Sequence, residues 1–337
     1  MTGRQRVRAI IGGAAADRTG FWLGQPLDAT WPALHRHFGT ANAEELRRKV
    51  GDDLRWISPQ WFASTYAHGG TSLESIYRFP KKSHGDPGPF ANTESVQEVH
   101  DFPWPKAVNL DFTETIGLLK AAGPAYRASG FWTCFYHNVM DMFGMENYLV
   151  KMYENPAVVH AVTDRICQYY YDANEAFFAV AGDEADAYFF GNDFGTQLDC
   201  IISPELFDAF VMPWFKKFTA QGHRWGKQVI LHSCGSIYRV IDRLIDAKVD
   251  CLHPLQARAA NMNAEHLAAH FKGRIAFLGG VDTQDLLVNG TPEDVRRDVR
   301  RIRKLLGPRL IVSPSHEAIL PNVPPANVAA MAEAALE

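Results

Sequence analysis

The feature that most constrains this chain is an alternation. Short apolar runs, each ending in polar or glycine-rich residues, are followed by stretches with helical periodicity. Apolar runs without a polar face suit strands buried on both sides. Separated by helices, such strands run parallel and are joined by right-handed crossovers. Eight runs qualify: 20–24, 54–58, 131–136, 187–191, 228–232, 250–253, 275–278 and 310–313. Eight strand–helix units closing on themselves are the simplest arrangement, so the chain is expected to be α/β, a single (β/α)8 TIM barrel over residues 1–337. The structural competitor is a doubly wound open sheet. It would normally carry a glycine-rich phosphate fingerprint after the first strand, and the Gly12-Gly13 pair lies before that strand instead.

Helix signals support the count. Ser203 and Pro204 supply an N-cap and a first-turn proline, followed by the apolar spacing Leu206, Phe207, Phe210, Val211. Ser236 precedes Ile237, Val240, Ile241, Leu244 and Ile245; Thr291-Pro292 opens an arginine-rich helix ending near Gly307; Pro324-Pro325 opens the last. One stretch breaks the rhythm. Residues 59–130, with Trp61, Tyr66, His68 and the KKSHGDPGPF turn, are too long for a connection, and a loop-and-hairpin insertion near the barrel mouth is expected between strands two and three.

A length of 337 residues suits a barrel with insertions, and 47% hydrophobic residues fill a large core. The net charge of −4 argues against nucleic acid or an anionic membrane as partner. No run approaches the roughly 18 apolar residues of a membrane helix, and the apolar run after the basic start is too short for a secretory signal. Five cysteines, an odd number in a large chain, form no disulfide framework, so the cytoplasm is the expected compartment; Cys167 and Cys200 read as packing residues.

The sharpest local signal is VILHSCGSI, residues 229–237, where a buried strand runs into His232-Ser233-Cys234-Gly235. Residues at the C-terminal ends of barrel strands face the active-site mouth. His-x-Cys there sets two soft donors on a tight turn, and zinc accepts that pair at roughly 2.0–2.1 Å to nitrogen and 2.3 Å to sulfur. A third ligand must come from elsewhere: His316 past the eighth strand, Glu317 beside it, or Cys251 and His253 at the end of strand six. Other polar or aromatic residues expected at the same end, and so candidates for substrate binding, are Trp22, Gln25, Asn138, Asn192, Gln197, Gln256 and Asp282. Each taken alone reads more readily as turn or capping chemistry; their joint arrival at one end makes the site.

Several segments together resemble the uroporphyrinogen decarboxylase superfamily over nearly the whole chain: FWLGQP (21–26), GDDLRWISP (51–59), SPELFDAFVMPWFKK (203–217), HSCGSI (232–237), VDCLHPLQ (249–256), FLGGVDTQDLLVNGTPEDV (277–295) and SPSHEAILPNVPPANVAAM (313–331). The resemblance implies the same barrel. True decarboxylases of that group use paired arginines near the N-terminus against their substrate's carboxylates. The matching stretch here, GFWLGQPLDATWP, keeps Trp22 and lacks both arginines, while His316 and Tyr136 are similar to decarboxylase pocket residues. A second branch comprises zinc-dependent methyltransferases acting with corrinoid (methylcobalamin) proteins. Their motif is His-x-Cys after strand five plus a cysteine after strand eight; His232 and Cys234 match, and His316 stands where they carry cysteine. The resemblance therefore implies a zinc site of His232, Cys234 and His316. It further implies transfer or demethylation of a methyl group between a corrinoid-binding partner protein and a small thiol, ether or amine, with Asp193 or Glu317 as proton donor and Tyr136 as a further catalytic candidate. It also allows a homodimer. A cofactor-independent decarboxylase and a barrel without catalysis are the alternatives.

Overall fold

Eight parallel strands surround an apolar interior in the computed structural model, which describes residues 1–76 and 83–337. They are β1 Gly20–Phe21, β2 Leu54–Trp56, β3 Tyr126–Ser129, β4 Ala187–Gly191, β5 Gln228–His232, β6 Cys251–His253, β7 Ala276–Val281 and β8 Leu310–Pro314. The order β1-β8-β7-β6-β5-β4-β3-β2 follows the chain around the circle. The seam between β1 and β2 is drawn together by Asp53, whose N–H donates to Phe21 O at 2.8 Å while its Oδ2 accepts the Phe21 N–H at 3.0 Å. This is the expected (β/α)8 barrel.

Period-two alternation divides the core into two layers. In β4, Ala187 and Phe189 join Leu54, Trp56, Tyr126, Ile230, Cys251, Leu278 and Ile311 inside the barrel; Tyr188 and Phe190 face the surrounding helices. The helix Gly3–Gly12, opened by a Thr2–Gln5 capping box, closes the floor with Val7, Ile10 and Ile11. Among the described residues, no helix is long and apolar enough to cross a membrane.

Two sequence expectations need correction. The third strand is Tyr126–Ser129, not 131–136; residues 135–143 form a helix, Phe135–Phe143. The strand YRAS looks polar because outward-facing Arg127 is buried by pairing with Glu184 and Asp186, whereas the apolar run FWTCFY forms the rim above it. Within 59–130 the described residues hold three 3-10 turns, two helices, Val96–Asp101 and Thr113–Ala121, and β3 itself, and no hairpin. Of the KKSHGDPGPF turn, Lys81 and Lys82 lie outside the described residues. Ser203, Thr291 and the 324–325 prolines start helices as expected. Ser236 does not: its hydroxyl donates to Ala260 O at 2.7 Å, and helical structure begins only at Tyr238.

Above the barrel, Gln25–Pro26 pairs in parallel with Ala318–Ile319, which holds the segment carrying His316 and Glu317 over the mouth. Gly24 sits at φ 84°, and a Cβ there would collide with the Glu317 carbonyl oxygen. Glycine lets the two segments touch.

Candidate metal centre

Parity and register assemble the centre. Ile230 faces inward, so His232, two residues on, does too; Cys251 faces inward, and so does His253. His232 and His253 are register partners on neighbouring strands, and their imidazoles meet at the rim with Nδ1 atoms 3.0 Å apart. Beyond His232 the chain turns at Gly235, φ 83°, where a Cβ would collide with the Gly195 carbonyl oxygen. That turn folds Cys234 back so that its sulfur lies 3.3 Å from His232 Nε2.

Asp193, in the loop after β4, stitches the same turn: its Oδ1 accepts the Cys234 N–H at 2.9 Å and lies 3.2 Å from His232 Nε2. On the other side of the ring, Glu317 Oε2 is buried 3.3 Å from His232 Nδ1 without hydrogen-bond geometry. His316 stands edge-on to His232, ring centroids 6.0 Å apart. Its Nδ1 accepts the Ala318 N–H at 3.1 Å, leaving Nε2 as the nitrogen available to Cys234. Among the described residues, two sets of three donors each lie within 4.8 Å: Asp193, His232, Cys234, and His232, His253, Glu317; His316, expected as the third ligand, belongs to neither. The two sets use opposite nitrogens of one imidazole.

The electrostatics follow from this crowding. Burial lowers the His232 pKa, but Glu317, Cys234 and Asp193 outweigh burial and raise it well above the ordinary value. Burial raises the Cys234 thiol, yet the charge and hydrogen bonds of His232, with a hydrogen bond from His316, bring it below the ordinary value. Burial likewise raises Asp193, and His232 with the Cys234 N–H overcomes that and holds it below the usual carboxylate range. Burial, then His232 and His316, push His253 well below its ordinary value. The hydrogen bond to Cys234 raises His316, while the Ala318 N–H on Nδ1 opposes a second proton, since two donors would then face each other.

The residues fit a zinc ion. One sulfur, imidazole nitrogens and carboxylate oxygens converge, a donor set that borderline-soft zinc accepts. His253 Nε2 is buried with no hydrogen-bond partner among the described residues, an unmet polar group of the kind that adjoins ligand sites.

The other expected site residues divide. Gln197 and Gln256 stand at the mouth, joined by a hydrogen bond between their amides. Asp282 caps the next turn, accepting the Gln284 and Leu286 N–H groups at 2.8 and 3.2 Å. Gln25 bridges Arg47 and the Trp56 carbonyl at 3.0 and 3.3 Å. Asn192 clamps the Phe135–Phe143 helix, accepting the Tyr136 N–H and donating to Thr133 O. Asn138 turns to Tyr170, and Trp22 is wholly buried beneath His253. Tyr136 is buried among Tyr148, His137 and Phe194 rather than at the donor cluster, and burial raises its pKa. Cys251 lies two residues below His253 in the inner core, its thiol raised by burial, outside both donor sets. Sequence reasoning missed Trp132, whose ring meets His232 at 5.1 Å and Trp56 at 4.8 Å. Placing strand three correctly would have put Trp132 just past a strand end.

A family model described as uroporphyrinogen decarboxylase matches residues 82–337. No curated protein matches the chain significantly. Among solved structures, a methyltransferase from Methanosarcina mazei is similar at 15% identity and TM-score 0.65, covering 99% of this chain and 98% of that one. A putative vitamin-B12 independent methionine synthase from Listeria monocytogenes has 13% identity and TM-score 0.43 over 94% of each. With the matched model extending over more than half of its length, from before the Phe135–Phe143 helix to its last residue, the chain belongs to the uroporphyrinogen decarboxylase family.

Proposed function

We propose that this protein is a zinc-dependent methyltransferase, moving a methyl group between a corrinoid carried on a partner protein and a small thiol, ether or amine. The observation that carries the reading is the approach of Cys234 Sγ to His232 Nε2, 3.3 Å, with Asp193 in the same donor set. The full-length likeness in fold to the Methanosarcina methyltransferase supports it. A zinc ion held by His232, Cys234 and His316 would supply Lewis acidity that lowers the pKa of a coordinated thiol.

The chain's own residues set up the remainder. Asp193 fixes the Cys234 turn through its backbone N–H. His253 meets His232 Nδ1 and orients the ring so that Nε2 points toward the sulfur, the outer support typical of metal-bound histidines, with the Glu317 charge 3.3 Å away on the same side. In the transfer the acceptor sulfur's lone pair forms the new carbon–sulfur bond, and the electrons of the broken bond remain with the donor. Asp193, ionised beside the Cys234 turn, would receive the proton that an acceptor thiol releases. A tetrapyrrole rich in carboxylates would meet the carboxylates of Asp193 and Glu317 here, which disfavours the decarboxylase reading.

Elemental analysis of protein purified without chelator tests the proposal. Near-stoichiometric zinc is expected, with most of it lost in Cys234→Ser. Incubation with methylcobalamin and a thiol should change the cobalamin absorbance in the native protein and not in that variant. Zinc content unchanged by the substitution overturns the site.

A further inference from the structure

Beside His316 lies a cavity of about 450 Å³, within the range of small-molecule pockets. Val288, Ala318, Leu320 and Val323 give it apolar walls. Its polar lining comprises the amides of Gln256, Gln284 and Asn322 and the hydroxyls of Thr283 and Ser315; His316 is the one titratable residue among the described residues that line it.

The amides are ordered by a backbone group that cannot turn round. The Gly235 N–H, in the turn that presents Cys234, donates to Gln256 Oε1 at 2.7 Å. Gln256 must therefore offer Nε2 to its neighbour, and it donates to Gln197 Oε1. Gln197 Nε2 in turn donates to Gln284 Oε1 at 3.2 Å. Three amides thus carry one polarity from the donor cluster to the cavity wall. The chain ends on Gln284 Nε2, a donor with no acceptor among the described residues. An amide's orientation follows from its network, and this network leaves one choice.

We propose that this cavity is the subsite for the small methyl-exchanging molecule, and that it selects an uncharged compound with an apolar body and a hydrogen-bond-accepting oxygen. An anion taken from water into these walls would find no arginine or lysine to repay its desolvation, and the charge of a zinc ion at His316 would already be balanced by Cys234, Asp193 and Glu317. A neutral acceptor finds the Gln284 donor and apolar contact. The inference rests on the methyl-transfer reading for the role of the ligand, but not for its binding.

Calorimetry on the full-length zinc-loaded protein, with zinc content measured on each sample, provides the test. The probes are 1,2-dimethoxybenzene, 3,4-dimethoxybenzoate and catechol. The neutral diether should bind at least about tenfold more tightly than its carboxylate, the scale of an uncompensated charge. Leu320→Lys, which adds a cation at the wall, should reverse that order. Gln284→Ala should weaken the diether about fivefold, the value of one hydrogen bond. Gln256→Glu offers the relay only acceptors at its start, so Gln197 and Gln284 should turn over and present an oxygen to the cavity. The diether, which only accepts, should then lose affinity, while catechol, which can donate, should not; a merely structural role for Gln256 would weaken both alike. Equal binding of diether and carboxylate, or no binding of either by zinc-replete protein, overturns the inference. Protein that takes up no zinc when zinc is supplied, yet still prefers the diether, would sink the metal reading and leave the subsite standing.

Discussion

The barrel has carboxylates at both ends, and the two ends treat them differently. At the floor, Asp53 accepts from Arg6 at 2.6 Å, from Arg18 at 2.8 and 3.0 Å, and from the Phe21 N–H. Asp186 accepts from Arg4, Arg8 and Arg127 and from the Arg127 N–H. Each buried charge there has more than one guanidinium. At the rim, Asp193 and Glu317 converge on a single imidazole, that of His232, with a thiol beside it. The floor is neutralised by the fold itself. The rim collects negative donors around one monovalent group, the arrangement in which a divalent cation gains most. Carboxylates that the fold neutralises with guanidinium groups are thus separated from carboxylates that it gathers around one imidazole.

The largest expected effect breaks the floor. Asp53→Ala leaves Arg6 and Arg18 without their shared acceptor and removes the side-chain bond to Phe21 at the β1–β2 seam. With Asp53 4% and Arg6 6% exposed, the loss should be about 3–5 kcal/mol, the scale for removing one partner of a buried pair. Urea unfolding measures it, and zinc content per folded molecule should not change. A stability loss below about 1 kcal/mol would show that the floor's ion pairs are surface-like after all.

Glu317→Gln should do the reverse. Because Glu317 stands at the nitrogen of His232 that faces away from Cys234, the substitution should weaken zinc binding about 10–100-fold, the usual cost of losing an outer partner. Without zinc, urea stability should fall far less than in Asp53→Ala, since losing the Glu317 charge that favours protonated His232 is offset by relieving a buried carboxylate oxygen that lacks a hydrogen bond. Competition with a chromophoric chelator gives the affinity. Zinc affinity as in the native protein would remove Glu317 from the centre.

Much of the architecture was legible because buried parallel strands announce themselves as apolar runs, and VILH, AYFF and LIVS do so plainly. Strand β3 was not, because its outward residue is an arginine made tolerable by Asp186, a partner distant in sequence. The His232–Cys234 pair was readable from the turn alone, since residues two apart across a tight turn converge whatever surrounds them. The role of His253 needed the register of two strands, which composition does not encode. Tyr136 and Asn138 looked like site residues because the helix Phe135–Phe143 was read as a strand end; in a helix their side chains turn into its packing instead, and Asn192, which does stand just past β4, spends its amide on clamping that helix. The glutamine relay spans residues 197, 256 and 284, and only the closed barrel brings them together.

The smallest expected effect sharpens the floor's edge, where burial fades. Asp17 pairs with Arg6 at 2.6 Å while remaining 39% exposed, and hydrogen bonds from Arg6 hold its pKa below the usual carboxylate range. A carboxylate with a depressed folded pKa stabilises the protein above its unfolded pKa of about 3.9, and that contribution disappears as pH falls through the folded value. Asp17→Asn should therefore lower the urea midpoint slightly and by a constant amount between about pH 8 and about pH 5. The gap to the native protein should close as pH drops below about 4. Salt should narrow the gap at pH 7, because the pair is open to solvent, whereas it should leave the loss caused by Asp53→Ala nearly intact. A gap at Asp17 that ignored both acid and salt would mean that packing, not charge, is what Arg6 finds there, and the contrast between floor and rim would then rest on Asp53 and Asp186 alone.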